Sequence, residues 1–135
     1  MISADNAHAV HPNHQELSDP VNRPQMNGGI VIKYNANQKY TTDAISTSVF
    51  KCICDRAEVP WQTFTNRSDM PGGSTLGNIS NTQVSLRAVD IGLPQLAMHS
   101  PYEMAGVKDT WYLEQVAKEF YSTQIEFVTD GGIRL

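Results

Sequence analysis

The chain has 135 residues, 40% of them apolar and 18% charged, with a net charge of −4. That length supports one ordinary domain with a real core, and the apolar share excludes a charge-driven disordered tail. Acidic side chains outnumber basic ones by 14 to 10, so the basic surplus that phosphate neutralisation requires is missing and nucleic acid is not an expected partner.

The opening Met1-Ile2-Ser3-Ala4-Asp5 lacks the basic head and apolar run of a signal peptide. From there to Gly28 the chain is polar and irregular, a stretch long enough to suggest a functional loop. Gly29-Ile30-Val31-Ile32-Lys33-Tyr34 predicts a buried strand after a Gly-Gly turn. From Thr42 the spacing of Ile45, Val49 and Ile53, with Phe50 beside them, predicts a helix capped by Thr41 or Thr42. Asp43 falls in its first turn, where the helix dipole favours an anion, and Pro60 ends it. Trp61 to Asn66 alternates as a strand does.

A run of turn residues, Arg67 to Thr75, follows, with Ser74 placed to cap a short helix through Asn81. Val84 to Gly92 predicts another strand, and Leu93 to Met98 leads out of it towards His99. Ser100-Pro101-Tyr102-Glu103 has the form of a capping box opening the last helix, whose apolar face is Leu113, Val116, Ala117 and Phe120. Strand, helix, strand, short helix, strand, helix predicts an α/β fold of βαβ units on a mostly parallel sheet. Trp61, Trp111 and Phe120 are expected in the core. Cys52 and Cys54 face different directions on one helix, read as packing residues, and suit a reducing, cytoplasmic setting. No stretch approaches the roughly 18 apolar residues of a membrane span, so no membrane partner is expected.

Asp5, His8 and His11 put one carboxylate and two imidazoles within seven residues, with His14 beyond. Carboxylate oxygen and neutral imidazole nitrogen both suit zinc, although a polar surface loop has the same composition. His99, between a predicted strand and a predicted helix, is placed to bind a metal, to act as a base, or simply to be satisfied by backbone partners. The loop Asp69 to Thr75 reads as a structural turn rather than a phosphate cradle, since no Gly-Lys-Ser/Thr follows. Lys33, the one charge in its apolar strand, either snorkels to the edge or holds an anionic group.

Several blocks together carry a family resemblance. They are Ser3-Ala4-Asp5 with Ala7-His8-Ala9-Val10-His11-Pro12-Asn13, then Val31-Ile32-Lys33 with Asn35, and Gln38-Lys39-Tyr40. Arg67-Ser68-Asp69 with Gly73-Ser74-Thr75-Leu76-Gly77 follows, and Val89 to Ser100 is the most specific. In this order, from Ser3 to about Tyr121, they resemble the aspartyl aminopeptidase and vacuolar aminopeptidase I family of dizinc metalloaminopeptidases. The resemblance implies that residues 1–135 are the C-terminal portion of a three-layer αβα zinc-exopeptidase catalytic domain. It implies two divalent metal ions, usually zinc, a peptide substrate trimmed at its N-terminal acidic or neutral residue, and a homo-oligomer.

Residue by residue, Asp5 matches a terminal ligand of one metal and His99 a histidine ligand of the other. Lys33 and Tyr40 match the lining of the pocket for the substrate side chain, where an ammonium suits a carboxylate. His8 is similar to a substrate-contacting residue, and His11 is a further pocket candidate. Family members are several times longer, and the parts without a counterpart here carry the second histidine, the bridging aspartate, the Glu pair with the general base, and an inserted oligomerisation domain. No residue of this chain is therefore assigned as the catalytic base, and the isolated chain is expected to be inactive. Gly77-Asn78 stands where the family commonly has Gly-Pro. The alternative is a truncated, inactive family member that binds metal weakly or associates with a full-length relative.

Overall fold

A computed structural model describes residues 1–129 and 131–135. In chain order its elements are β1 (Ile2–Ala4), β2 (Ala7–His8), a single 3-10 turn at Gln15–Leu17, β3 (Ile30–Tyr34), α1 (Ala44–Arg56) and β4 (Trp61–Thr65). Then come α2 (Leu76–Gln83), β5 (Val89–Gly92), β6 (Pro94–Leu96), β7 (Met104–Ala105), α3 (Val107–Ser122), β8 (Glu126–Phe127) and β9 (Ile133–Arg134).

The main sheet has the order β1-β5-β3-β4. β1 runs parallel to β5, with Ile2 opposite Val89, and β3 runs parallel to β4, with Ile30 opposite Trp61. Between them β5 meets β3 antiparallel, Ile32 opposite Ile91. The sheet is thus largely parallel, as expected, but the succession of βαβ units is not. β3-α1-β4 is one such unit, whereas the chain after α2 passes to the far side of β3 and enters β5 in the opposite direction.

Alternation along β3 and β5 sorts the side chains onto two faces. Ile30, Ile32, Val89 and Ile91 face Phe50, Ile53 and Cys54 of α1 and Val116 of α3, and these form the main core. Each of the larger ones is worth about 1.5–3 kcal/mol when fully buried. Val31 lies on the other face with Ala7, Tyr40 and Phe64. A strand covered on both sides explains why Ile30-Val31-Ile32 is continuously apolar rather than alternating.

The helix starts differ from the sequence expectation. Asp43, not Thr41 or Thr42, caps α1: its Oδ1 accepts from Ser46 N at 2.7 Å, and Ser46 Oγ accepts from Asp43 N at 3.0 Å. The cap of α2 is Thr75 rather than Ser74. The Ser100 box opens no helix. Ser100 Oγ accepts from Tyr102 N and Glu103 Oε1 from the His99 N–H at 2.6 Å, closing a turn that leads into β7. β7 then pairs antiparallel with β6, Leu96 opposite Met104, and α3 begins only at Val107.

The strand predicted from Val84 begins at Val89. Trp61 and Trp111, expected in the core, are 36% and 55% exposed, and the Lys51 ammonium lies 3.9 Å from the Trp61 ring centroid. Phe120 does pack against the core. Of the two thiols, Cys54 is buried and Cys52 exposed. Among the described residues no helix is long and apolar enough to cross a membrane.

Candidate functional site

The segment after β1 follows the segment after β5. Asp5 N donates to Ile91 O at 3.0 Å, Ala7 N to Leu93 O at 2.9 Å and Ala9 N to Gln95 O at 2.9 Å. Gly92 makes this approach possible, because a Cβ there would stand 2.1 Å from Asp5 O. Asp5 therefore emerges at the end of β1, with its side chain exposed.

Lys33 resolves the choice posed by its sequence position: it does not snorkel. The residue is 1% exposed, its Nζ donates to Asp5 O at 2.8 Å, and its ammonium lies 5.0 Å from the Tyr40 ring centroid. Burial lowers its pKa from the ordinary lysine value, while the carboxylates of Asp5 and Asp90 oppose that shift. Tyr40 is held the other way, its phenol pKa raised by burial and then by Asp90 and Asp5. The Phe64 ring lies 6.5 Å from those of both Tyr40 and His8. Burial, then His99 and Lys33, lower the His8 pKa, so its neutral imidazole is favoured.

Lys33 thus touches both the Asp5 carbonyl and the Tyr40 ring, and the charges of His99 and Lys33 both act on His8. His99 is exposed, with φ of 68°, on the turn between β6 and β7 rather than at a helix start. His11 Nδ1 accepts from Asn13 N, and the His11 ring lies 5.2 Å from that of His14. In the turn-rich loop, Arg67 holds Asp69 through two hydrogen bonds and Lys39 Nζ donates to Gly72 O at 3.0 Å. Those cations are committed to shaping the loop.

Asp90 escaped the sequence reading. It is fully buried in β5, one ladder step from the Ile32–Ile91 pair. Its carboxylate accepts from Thr41 N at 2.6 Å, Thr41 Oγ1 at 2.8 Å and Thr75 Oγ1 at 2.5 Å. Burial alone would raise its pKa, and the Ser3 hydroxyl, then the Thr75 hydroxyl and the Thr41 N–H and hydroxyl, reverse that to a net lowering. Asp90 therefore ties the segment bearing Tyr40 to the start of α2. A signal existed: Asp90 is an acid inside an apolar strand, as Lys33 is a base inside one.

The donor chemistry at Asp5 and His99, one carboxylate and one imidazole, fits divalent zinc. Among the described residues no three His, Cys, Asp or Glu side chains converge on a metal position. The pair therefore fits as part of a donor set.

A mixed α/β fold on a largely parallel sheet is the architecture of the metallopeptidases to which the comparisons relate the chain. The family model described as aminopeptidase I zinc metalloprotease (M18) matches residues 1–121. The chain belongs to the M18 aminopeptidase family. It is 57% identical over 122 residues to the probable M18 family aminopeptidase 2 of Clostridium novyi, covering 90% of this chain and 28% of that protein. Among solved structures, a chain of the Ape4 and Nbr1 complex superposes with a TM-score of 0.87 at 42% identity, over 89% of this chain and 23% of that one. The S. cerevisiae mApe1 dodecamer superposes with a TM-score of 0.78 at 28% identity, over 89% of this chain and 26% of that one. The chain thus spans less than a third of the length of these relatives, in their C-terminal portion.

Proposed function

We propose that the chain supplies one part of the active site of a two-zinc metallo-aminopeptidase, residues 1–135 forming the C-terminal portion of its catalytic domain. The reaction is hydrolysis of the N-terminal residue of a peptide. Asp5 would hold one ion and His99 the other. When bound, the ions supply Lewis-acid polarisation of the scissile carbonyl and activation of the attacking water.

The remaining roles belong to side chains of the pocket. The Lys33 ammonium pairs with an acidic substrate side chain. Tyr40, with its raised pKa, stays protonated and can donate a hydrogen bond. His8, with its lowered pKa, stays neutral at pH 7 and so does not repel the substrate's α-ammonium. Assembly into a homo-oligomer belongs to the same proposal, supported by the dodecameric relative.

The observation that carries this reading is the Lys33 ammonium, 1% exposed and bonded to the carbonyl of Asp5 itself. A buried cation costs several kcal/mol of desolvation unless it is used, and here it sits at the end of the strand bearing the metal-type carboxylate. The test is substrate choice in the completed enzyme. Lys33→Ala should lower kcat/KM for acidic N-terminal residues at least ten-fold more than for neutral ones. Lys33→Met, which keeps the apolar stem and the local packing, should do the same. Equal losses for both substrate classes in both variants would remove Lys33 from the pocket.

A second reading, an inactive family member that binds metal weakly or associates with a full-length relative, is favoured by the two-donor set at Asp5 and His99. Both readings require the isolated chain to be inactive.

A further inference from the structure

The turn between β6 and β7 holds two residues other than glycine in the left-handed region, Ala97 with φ of 54° and His99 with φ of 68°. Such a conformation is uncommon for a residue with a Cβ, and it persists only where the surroundings determine it. It also has a direction. Rotation about N–Cα sets the side to which Cβ projects, so the left-handed φ of His99 decides where its imidazole stands.

The bonds that hold this turn can be named one by one. β6 lies between β2 and β7, with His8 of β2 opposite Gln95. Beyond β6, Ser100 N donates to Ala97 O at 3.0 Å. Pro101 has no N–H to place, and Tyr102 N donates to Ser100 Oγ at 3.0 Å. Neither bond involves His99. The His99 N–H goes to Glu103 Oε1 at 2.6 Å, short as charge-assisted hydrogen bonds are. Glu103 directly precedes Met104, whose pairing with Leu96 opens the β6–β7 ladder. Its backbone is thus anchored by β7, and its carboxylate reaches back across the turn to the histidine. Both residues are exposed, so the contact adds nothing to the core. What it fixes is the conformation of one residue, and that residue is the imidazole donor of the site.

We propose that Glu103 is a positioning residue for His99: its carboxylate, by gripping the His99 N–H, holds the left-handed turn that presents the imidazole to a divalent metal ion. Groups that orient a metal ligand commonly act through its second ring nitrogen; here the hold is on the main chain. This role rests on the reading of His99 as a zinc ligand.

The test uses the full 135-residue chain and zinc alone as the probe. Without metal, hydrogen exchange at the His99 amide should be about ten-fold faster in Glu103→Ala, and near wild type in Glu103→Gln, whose side-chain oxygen still accepts. In calorimetric titrations Glu103→Ala should lower zinc affinity about ten-fold, and Glu103→Gln by less than about three-fold. Ser100→Ala, which loosens the same turn without touching His99, should match wild type in both measurements. Unchanged exchange at His99 or unchanged zinc affinity in Glu103→Ala would overturn the proposal. Equal loss of zinc affinity in Glu103→Gln, with His99 still protected, would overturn it in favour of a carboxylate that ligates the metal directly. Equal losses in Ser100→Ala, or faster exchange in Glu103→Ala spread over all of β6 and β7 with a lowered melting temperature, would overturn it in favour of a structural role. Zinc binding that His99→Ala does not weaken would overturn the metal reading of His99 and the positioning role with it. Zinc binding that His99→Ala abolishes and Glu103→Ala leaves intact would overturn the positioning role alone.

Discussion

Lys33 and Asp90 are opposite charges buried on one sheet face, and they are held by different means. The ammonium has one carbonyl partner and a ring; the carboxylate has three hydrogen-bond donors from Thr41 and Thr75. Asp90→Ala would leave those donors buried without an acceptor, at about 1–3 kcal/mol for each one that water does not reach. A loss of roughly 3 kcal/mol, on the order of 10 °C in melting temperature, is expected. A fall of only a degree or two would show that the network contributes little. The pH dependence follows from the lowered carboxyl pKa, whose ordinary value is 3.8. The stability Asp90 supplies is complete above that value and is lost as pH falls through the lower, folded-state one. Asp90→Asn should therefore flatten the acid limb of a stability–pH curve below pH 3.8. An unchanged limb would place the acid sensitivity elsewhere.

Among the elements, two Ser- or Asp-led sequences compete for the role of helix cap. Asp43 with Ser46 forms a reciprocal cap at α1, whereas Ser100 with Glu103 closes an exposed turn. The local chemistry is the same in both: a short side chain accepting an N–H that would otherwise lack a partner. Pairing of β7 with β6 decided the second case, because an extended Met104-Ala105 cannot also be the first turn of a helix. Asp43→Ala should cost about 1 kcal/mol, and Ser100→Ala less than about 0.5 kcal/mol. Chemical denaturation of the two variants measures both, and equal losses would contradict the assignment. Gly29 is a sharper constraint. Its φ is 102°, and a Cβ there would stand 2.0 Å from Pro60 O. Gly29→Ala should destabilise by more than the ordinary strain of a positive φ, about 1–2 kcal/mol, since the β3–β4 ladder must also shift.

The main sheet carries Lys33, Tyr40 and Asp90 on one face and α1 and α3 on the other. At this scale the prediction concerns chemistry. The purified chain, with zinc added, should not hydrolyse Asp- or Leu-based chromogenic substrates, because Asp5 and His99 provide two donors and no assigned base. Zinc titration followed by calorimetry should show weak binding that Asp5→Ala or His99→Ala abolishes. Robust metal-dependent turnover by the chain alone would refute the division of the site between segments.

How much was legible in the sequence follows the range of the forces involved. β3, α1 and β4 could be read directly, since apolar period, a proline stop and a Gly-Gly turn act within a few residues. Asp5, His8, Lys33, Tyr40 and His99 could be picked out as candidates from residue type and motif. Tertiary structure alone decided that Lys33 reaches the Asp5 carbonyl, that His11 stands with His14, and that Asp90 anchors the Tyr40 segment. The antiparallel entry of β5 was also invisible locally, because strand direction is set by which neighbour the chain returns to. The sequence by itself determined the kinds of groups available and most of the local elements. Burial, register and long-range pairing determined which of those groups touch one another, because each depends on residues far apart in the chain.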